Sequence, residues 1–146
     1  MTTVAVMGAG SWGTAFGMVL SDAGTEVALW AKDPEVADDV NARHRNTAYH
    51  PGVALPERLR ATTDPGAALD GADVVVLAVP AQVLRGLLAT WSPLLPREAP
   101  VVSLIKGIEL GTMKRMSEVW SKTCELTQPP LVQGEMIISG TRRPRP

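Results

Sequence analysis

The sequence predicts an α/β fold in which helices wind over both faces of a parallel sheet, and three observations lead to it. Short apolar, β-branched runs alternate with runs of helical length from Thr2 to about Trp120. Asp33-Pro34 and Asp64-Pro65 each pair an N-cap residue with a first-turn proline, so they mark helix starts. Ala72-Asp73-Val74-Val75-Val76-Leu77-Ala78-Val79-Pro80 is apolar on both faces, as a central parallel strand must be.

The elements follow in order. Thr2 to Met7 is strand-like, and Thr14 to Ala23 carries the small and apolar residues of a helix packed on a sheet, with Gly24 placed to end it. Glu26 to Ala31 is the second strand, and the helix opened by Asp33-Pro34 runs to about Asn46. Tyr49-His50-Pro51-Gly52-Val53-Ala54-Leu55-Pro56 holds too many helix breakers for regular structure. A short strand near Leu59 to Thr63 precedes the brief helix opened by Asp64-Pro65, and the buried strand ends at Pro80. Ala81 to Trp91 is the next helix, Val101 to Ile105 another strand, and Met113 to about Trp120 a further helix. Such alternation implies right-handed crossovers and a doubly wound sheet, and no repeat of solenoid period interrupts it.

Composition narrows the function classes. The 146 residues suit one domain, and the formal net charge of −1 suggests neither nucleic acid nor a membrane surface as partner. Cys124, the single cysteine, excludes an internal disulfide framework and fits a reducing cytoplasm. The N-terminal segment lacks a basic leader, and no apolar window reaches the ~18 residues of a membrane span. No metal site and no membrane insertion are expected, and the sequence leaves a homo-oligomer open.

Gly8, Gly10 and Gly13 stand at Gly-x-Gly-x-x-Gly spacing between the first strand and its helix, the context of a dinucleotide-binding, Rossmann-like fold. Gly8 allows the sharp turn off the strand, Gly10 lets the backbone approach a pyrophosphate, and Gly13 lets helix and strand pack closely. The unpaired N–H groups and dipole of the helix N-terminus then meet the phosphates without a basic side chain. The alternative is a tight strand-to-helix turn with no ligand.

Ligands of such sheets lie outside the carboxyl ends of the strands, which selects few further positions. Lys32 follows the second strand, where NAD-selective proteins carry an acid for the ribose hydroxyls; a lysine there favours the 2′-phosphate of NADPH over NADH, unless it is a solvated surface residue. Arg43 and Arg45 read as solvating charges. Ala78-Val79-Pro80-Ala81-Gln82 ends a strand at the cleft with small residues that leave room for a flat ring, unless it is an unrelated strand terminator. Lys106, in Ser103-Leu104-Ile105-Lys106-Gly107-Ile108-Glu109, brings a compact positive charge suited to a phosphate or a carbonyl oxygen gaining charge, unless it is a snorkelling surface residue. His44 and His50 lie away from these strand exits and read as structural or surface residues.

Together, Gly8-Ala9-Gly10-Ser11-Trp12-Gly13-Thr14-Ala15, Leu29-Trp30-Ala31-Lys32, Ala78-Val79-Pro80-Ala81-Gln82 with Leu84-Arg85, and Ser103 to Glu109 closely resemble the N-terminal part of bacterial NAD(P)-dependent glycerol-3-phosphate dehydrogenase. The resemblance implies interconversion of dihydroxyacetone phosphate and sn-glycerol 3-phosphate in the cytoplasm, supplying phospholipid precursor with NADP(H) or NAD(H) as cofactor. It implies that Ser11 and Trp12 contact the cofactor at the glycine turn, that Lys32 lies beside its adenosine end, and that Lys106 touches cofactor and substrate. The proton-transfer lysine of the family belongs to a helical domain, so no catalytic residue is expected in this chain.

The resemblance extends from about Met1 to Glu118. Residues 1–119 therefore read as the dinucleotide-binding domain and 120–146 as a divergent, poorly ordered tail, rich in proline and arginine and ending Arg142-Arg143-Pro144-Arg145-Pro146. Ile137-Ile138-Ser139-Gly140 faintly matches the strand into the family's substrate loop, but Thr141 stands where its proline is expected. With the helical domain absent, weak cofactor binding and little turnover are expected of the chain. Two alternatives stay open: a related NADPH-dependent reductase or hydroxy-acid dehydrogenase, and a nucleotide-binding or inactive remnant without catalysis.

Overall fold

The computed structural model describes residues 1–124 and 131–133. Six parallel strands form one sheet: β1 (Thr3–Met7), β2 (Glu26–Trp30), β3 (Leu59–Thr62), β4 (Val74–Leu77), β5 (Val101–Ser103) and β6 (Leu131–Gln133). Their order across the sheet is β3-β2-β1-β4-β5-β6, with Val4 in register with Val27 on one side and Val74 on the other. The direction of winding reverses between β1 and β4, so a crevice opens there at the strands' carboxyl ends.

The helices are α1 (Ser11–Asp22), α2 (Pro34–Arg43), α3 (Pro65–Leu69), α4 (Leu84–Trp91) and α5 (Met116–Thr123). Period-two alternation divides the buried residues of β1 between two cores: Val4 and Val6 join Val27, Leu29, Val40 and Leu59, while Ala5 and Met7 join Val75, Leu84, Leu88 and Trp91. The second core is keyed by Trp30 and Trp91, whose rings meet edge to face at 5.0 Å. Fully burying side chains of this size stabilises by roughly 1.5–3 kcal/mol each, so the sheet is held mainly from its two faces.

Several boundaries differ from expectation. α1 begins at Ser11, directly from the glycine turn, rather than at Thr14. α2 stops at Arg43 because His44 adopts a left-handed conformation with φ of 51°, ending the helix before Asn46. Asp33 takes the N-cap backbone position of α2 without a side-chain capping bond, whereas the Asp64 carboxylate accepts from the Gly66 N–H at 2.8 Å. The strand expected over 72–80 is regular only at Val74–Leu77, and the helix expected from Ala81 opens with a 3-10 turn before α4.

α5 starts at Met116 rather than Met113. Residues 108–115 form a tight turn closed by an antiparallel bridge between Ile108 and Arg115, with Met113 at φ 56°. The expected domain boundary at residue 119 falls inside α5, whose Trp120 is buried along with Cys124 beyond the helix end. Burial also pushes the Cys124 thiol pKa up. The expected Ile137–Gly140 strand and the arginine-rich end lie outside the described residues.

Candidate functional site

A cleft of about 1050 Å³ lies over the carboxyl ends of the central strands. Gly8, Gly10, Ser11 and Trp12 line it from the β1–α1 turn, Lys32 and Asp33 from the end of β2, Pro80 and Gln82 from beyond β4, and Lys106 from beyond β5. The fold thus gathers around one cleft the positions singled out at the strand exits, from segments up to a hundred residues apart in order of the chain. Gly13 does not line the cleft. It lies under the turn, where a Cβ would collide with the Gly8 carbonyl oxygen and stand 3.2 Å from the Ala78 Cβ, so its task is close packing of α1 on the sheet.

Gly8 and Gly10 differ in what requires them. Gly8 has φ of 138°, and a Cβ on it would stand 2.7 Å from the Ala78 carbonyl carbon, so the fold itself demands glycine. Gly10 has an ordinary φ of −74°, and among the described residues a Cβ there would meet no atom within 4 Å. Protein packing therefore leaves the space above Gly10 open toward the cleft.

The electrostatics suit an anion. α1 has no side-chain cap and no acidic residue in its first turn, so the N–H groups at its start face no competing carboxylate. The charged side chains lining the cleft are two lysines, Lys32 and Lys106, against one acid, Asp33. The Lys106 Nζ stands 6.0 Å from the centroid of the Trp12 ring, bringing the exit of β5 against the turn after β1. A dinucleotide fits this arrangement: an open glycine backbone, an uncapped helix start and a cation at each end.

The Lys106 loop is clamped from beneath. Arg85 on α4 donates two bonds of 2.9 Å to the Glu109 carboxylate, and Thr112 adds a hydroxyl donor to the same group. These bonds, Arg85 first, hold the Glu109 pKa down to about 2. Gln82 completes the clamp by donating to the Ile108 carbonyl and accepting from the Leu110 N–H, both at 2.9 Å.

The segment following α2 contributes contacts that sequence reasoning did not find. Asn46, fully buried, donates to the Ala9 carbonyl at 3.0 Å and to the Thr14 hydroxyl at 2.9 Å. His50 donates from Nε2 to the Ser11 carbonyl at 2.6 Å, a structural role, and Tyr49 lines the cleft. Asp39, itself buried, fixes this segment by accepting from the Thr47 N–H at 2.7 Å and from Arg43, and those bonds, led by Thr47, lower its pKa. Arg43 is thus an ion-pair partner rather than a purely solvating charge. No sequence signal marks Asn46, whose partner Ala9 is 37 residues away.

Among the described residues no group of three or more His, Cys, Asp or Glu could hold a metal, and no helix is long and apolar enough to cross a membrane.

A six-stranded sheet in this order, with a glycine turn at its switch point, defines a Rossmann-like dinucleotide-binding domain. Residues 3–140 match the family model described as the NAD-dependent glycerol-3-phosphate dehydrogenase N-terminus, and the chain belongs to that family. It is 63% identical over 115 residues to glycerol-3-phosphate dehydrogenase (NAD(P)+) of Streptomyces avermitilis, covering 79% of this chain and 34% of the relative. The Thermobifida fusca enzyme of the same name is 54% identical over 127 residues, 86% of this chain and 38% of its own. Among solved structures, glycerol-3-phosphate dehydrogenase from Coxiella burnetii superposes with a TM-score of 0.81 at 31% identity, covering 90% of this chain and 40% of that one. The chain spans about a third of the length of the curated relatives it matches.

Proposed function

We propose that this chain is the cofactor-binding part of an NAD(P)-dependent glycerol-3-phosphate dehydrogenase, acting in the cytoplasm on dihydroxyacetone phosphate and sn-glycerol 3-phosphate. Residues 1–124 with the β6 strand form its dinucleotide-binding domain. The observation that carries this is the glycine turn: Gly10 needs no glycine for packing or backbone conformation, yet opens toward the cleft at an uncapped helix start. A diphosphate approaching the backbone is what such a position accommodates.

In this assignment Gly8, Gly10, Ser11 and Trp12 contact the cofactor's diphosphate and neighbouring groups, while Gly13 keeps α1 close beneath them. Lys32 takes the adenosine end and favours a 2′-phosphate, and Pro80 borders the nicotinamide end. Nicotinamide dinucleotide, when bound, supplies hydride transfer to and from carbon. Lys106, held by the Arg85–Glu109–Gln82 clamp, offsets negative charge on cofactor and substrate. Proton transfer is assigned to none of these residues.

The test is a calorimetric titration of NADPH and NADH up to millimolar concentration, with wild type and Lys32→Asp. Wild type is expected to prefer NADPH, and the variant to lose about tenfold or more of NADPH affinity while retaining NADH, because one charge-assisted contact to the 2′-phosphate becomes a repulsion. Unchanged affinities in the variant make Lys32 a surface residue, and a wild-type chain that binds neither nucleotide removes the assignment altogether. The chain alone is expected to reduce dihydroxyacetone phosphate slowly, so turnover matching a full-length relative would contradict its role as the cofactor-binding part only.

A further inference from the structure

We propose that Asn46 is a positioning residue for the diphosphate turn, fixing the Ala9–Gly10 peptide so that its N–H faces the cleft; this rests on the dinucleotide assignment above. The Ala9 carbonyl can only accept, so the group facing it at 3.0 Å must be the amide nitrogen of Asn46, which settles the side chain's orientation. The same nitrogen donates to the Thr14 hydroxyl at 2.9 Å, and Thr14 is itself fully buried in the first turns of α1. One amide thus ties the residue before Gly10 to the helix after it.

Peptide planarity turns that contact into a statement about the cleft. The structure has no cis peptide bond among the described residues, and in a trans peptide the C=O and the following N–H point in opposite directions. Asn46 is fully buried and does not line the cleft, so a carbonyl aimed at it points into the protein. The Gly10 N–H therefore points the other way, and no described residue accepts from it. A flip of this peptide would replace a donor with the negative end of a carbonyl where a diphosphate is to sit. The Asn46 Oδ1 is buried with no partner among the described residues. An amide kept in an interior with half of its bonding capacity unused indicates that the donor half is what the site requires.

Asn46 is in turn held by its own segment. Its carbonyl accepts from the Tyr49 and His50 N–H groups at 3.2 and 2.7 Å, and His50 returns to the Ser11 carbonyl, so the connection after α2 folds over the turn as a unit.

The experiment titrates NADP+ and ADP-ribose into wild type, Asn46→Ala and Asn46→Asp, below the melting temperature of each. Asn46→Ala is expected to weaken both ligands by the same factor, about tenfold, because both carry the diphosphate and only the diphosphate turn is altered. Asn46→Asp keeps the volume but presents an acceptor to the Ala9 carbonyl. Its loss is expected to be full at about pH 8 and to shrink by about pH 5, where a buried carboxyl regains a proton to donate. That pH profile, measured relative to wild type, also answers the question if Asn46→Ala does not fold. Folded variants that bind both ligands within about twofold of wild type, with no pH dependence relative to it, overturn the proposal and leave the dinucleotide assignment standing. A wild-type chain that binds neither ligand overturns both.

Discussion

Gly10→Ala separates what the fold requires from what a ligand requires. The backbone at Gly10 has φ −74° and ψ −170°, a conformation any L-residue adopts, and the added methyl meets no atom of the described residues within 4 Å. The folded state should accept it, while the unfolded chain loses conformational freedom, so stability is expected to rise by about 0.4–1 kcal/mol. For a domain of this size that raises Tm by roughly 1–5 °C. The methyl occupies the space into which a diphosphate must come to reach the N–H groups at the start of α1. Loss of one or two charge-assisted hydrogen bonds, each worth about 1.5–3 kcal/mol, lowers affinity by roughly one to four orders of magnitude. Thermal melts paired with an NADPH titration read both quantities on the same sample. Opposite movement is the expected result: a higher Tm and lost binding. A variant that melts lower than wild type, or that binds NADPH within about twofold of it, refutes the reasoning.

Gly13→Ala should behave in the contrary way, because its methyl strikes the Gly8 carbonyl and forces α1 off the sheet. The expected loss is about 1–3 kcal/mol of stability in denaturant melts, with weakened NADPH binding following from the displaced helix; an unchanged melt would refute the close approach. The Arg85–Glu109 pair sets a pH window. Its folded pKa of about 2 lies below the ordinary value of 4.5, so its contribution is complete above about pH 4.5 and is lost as pH falls through about 2. The stability difference between wild type and Glu109→Gln, followed by urea melts across that range, should be constant at neutral pH and vanish in acid; a difference that grows as pH falls would refute the ion pair.

Much of the fold was legible because its cues are local. The Thr3–Met7 strand and the buried Val74–Leu77 run announce themselves by β-branched composition, and the glycine spacing that links β1 to α1 spans six residues. Strand exits follow from strand positions, so Gly10, Lys32, Pro80 and Lys106 could be chosen before any of them was seen to share a cleft. Boundaries were less legible where a backbone turn overrides propensity. His44 ends α2 by entering the left-handed region, which histidine favours only weakly, and Met113 sits in a closed turn rather than a helix, although methionine does not mark such a conformation. The continuation of the core through Trp120 and Cys124 was missed because the resemblance was read only as far as Glu118, whereas the family match runs over residues 3–140.

The sequence by itself determined the parallel doubly wound sheet, the family and the glycine turn, since alternation, proline and glycine act on dihedral angles within a few residues of where they stand. Only the tertiary structure decided that Asn46 steers the Ala9 carbonyl, that His50 reaches Ser11, and that Arg85 and Gln82 clamp the Lys106 loop. Those bonds join residues 24 to 39 positions apart, and a hydrogen bond forms only within about 3 Å and near-linear geometry. Closeness on that scale depends on how helices pack across the whole sheet, and no local pattern along the chain encodes it.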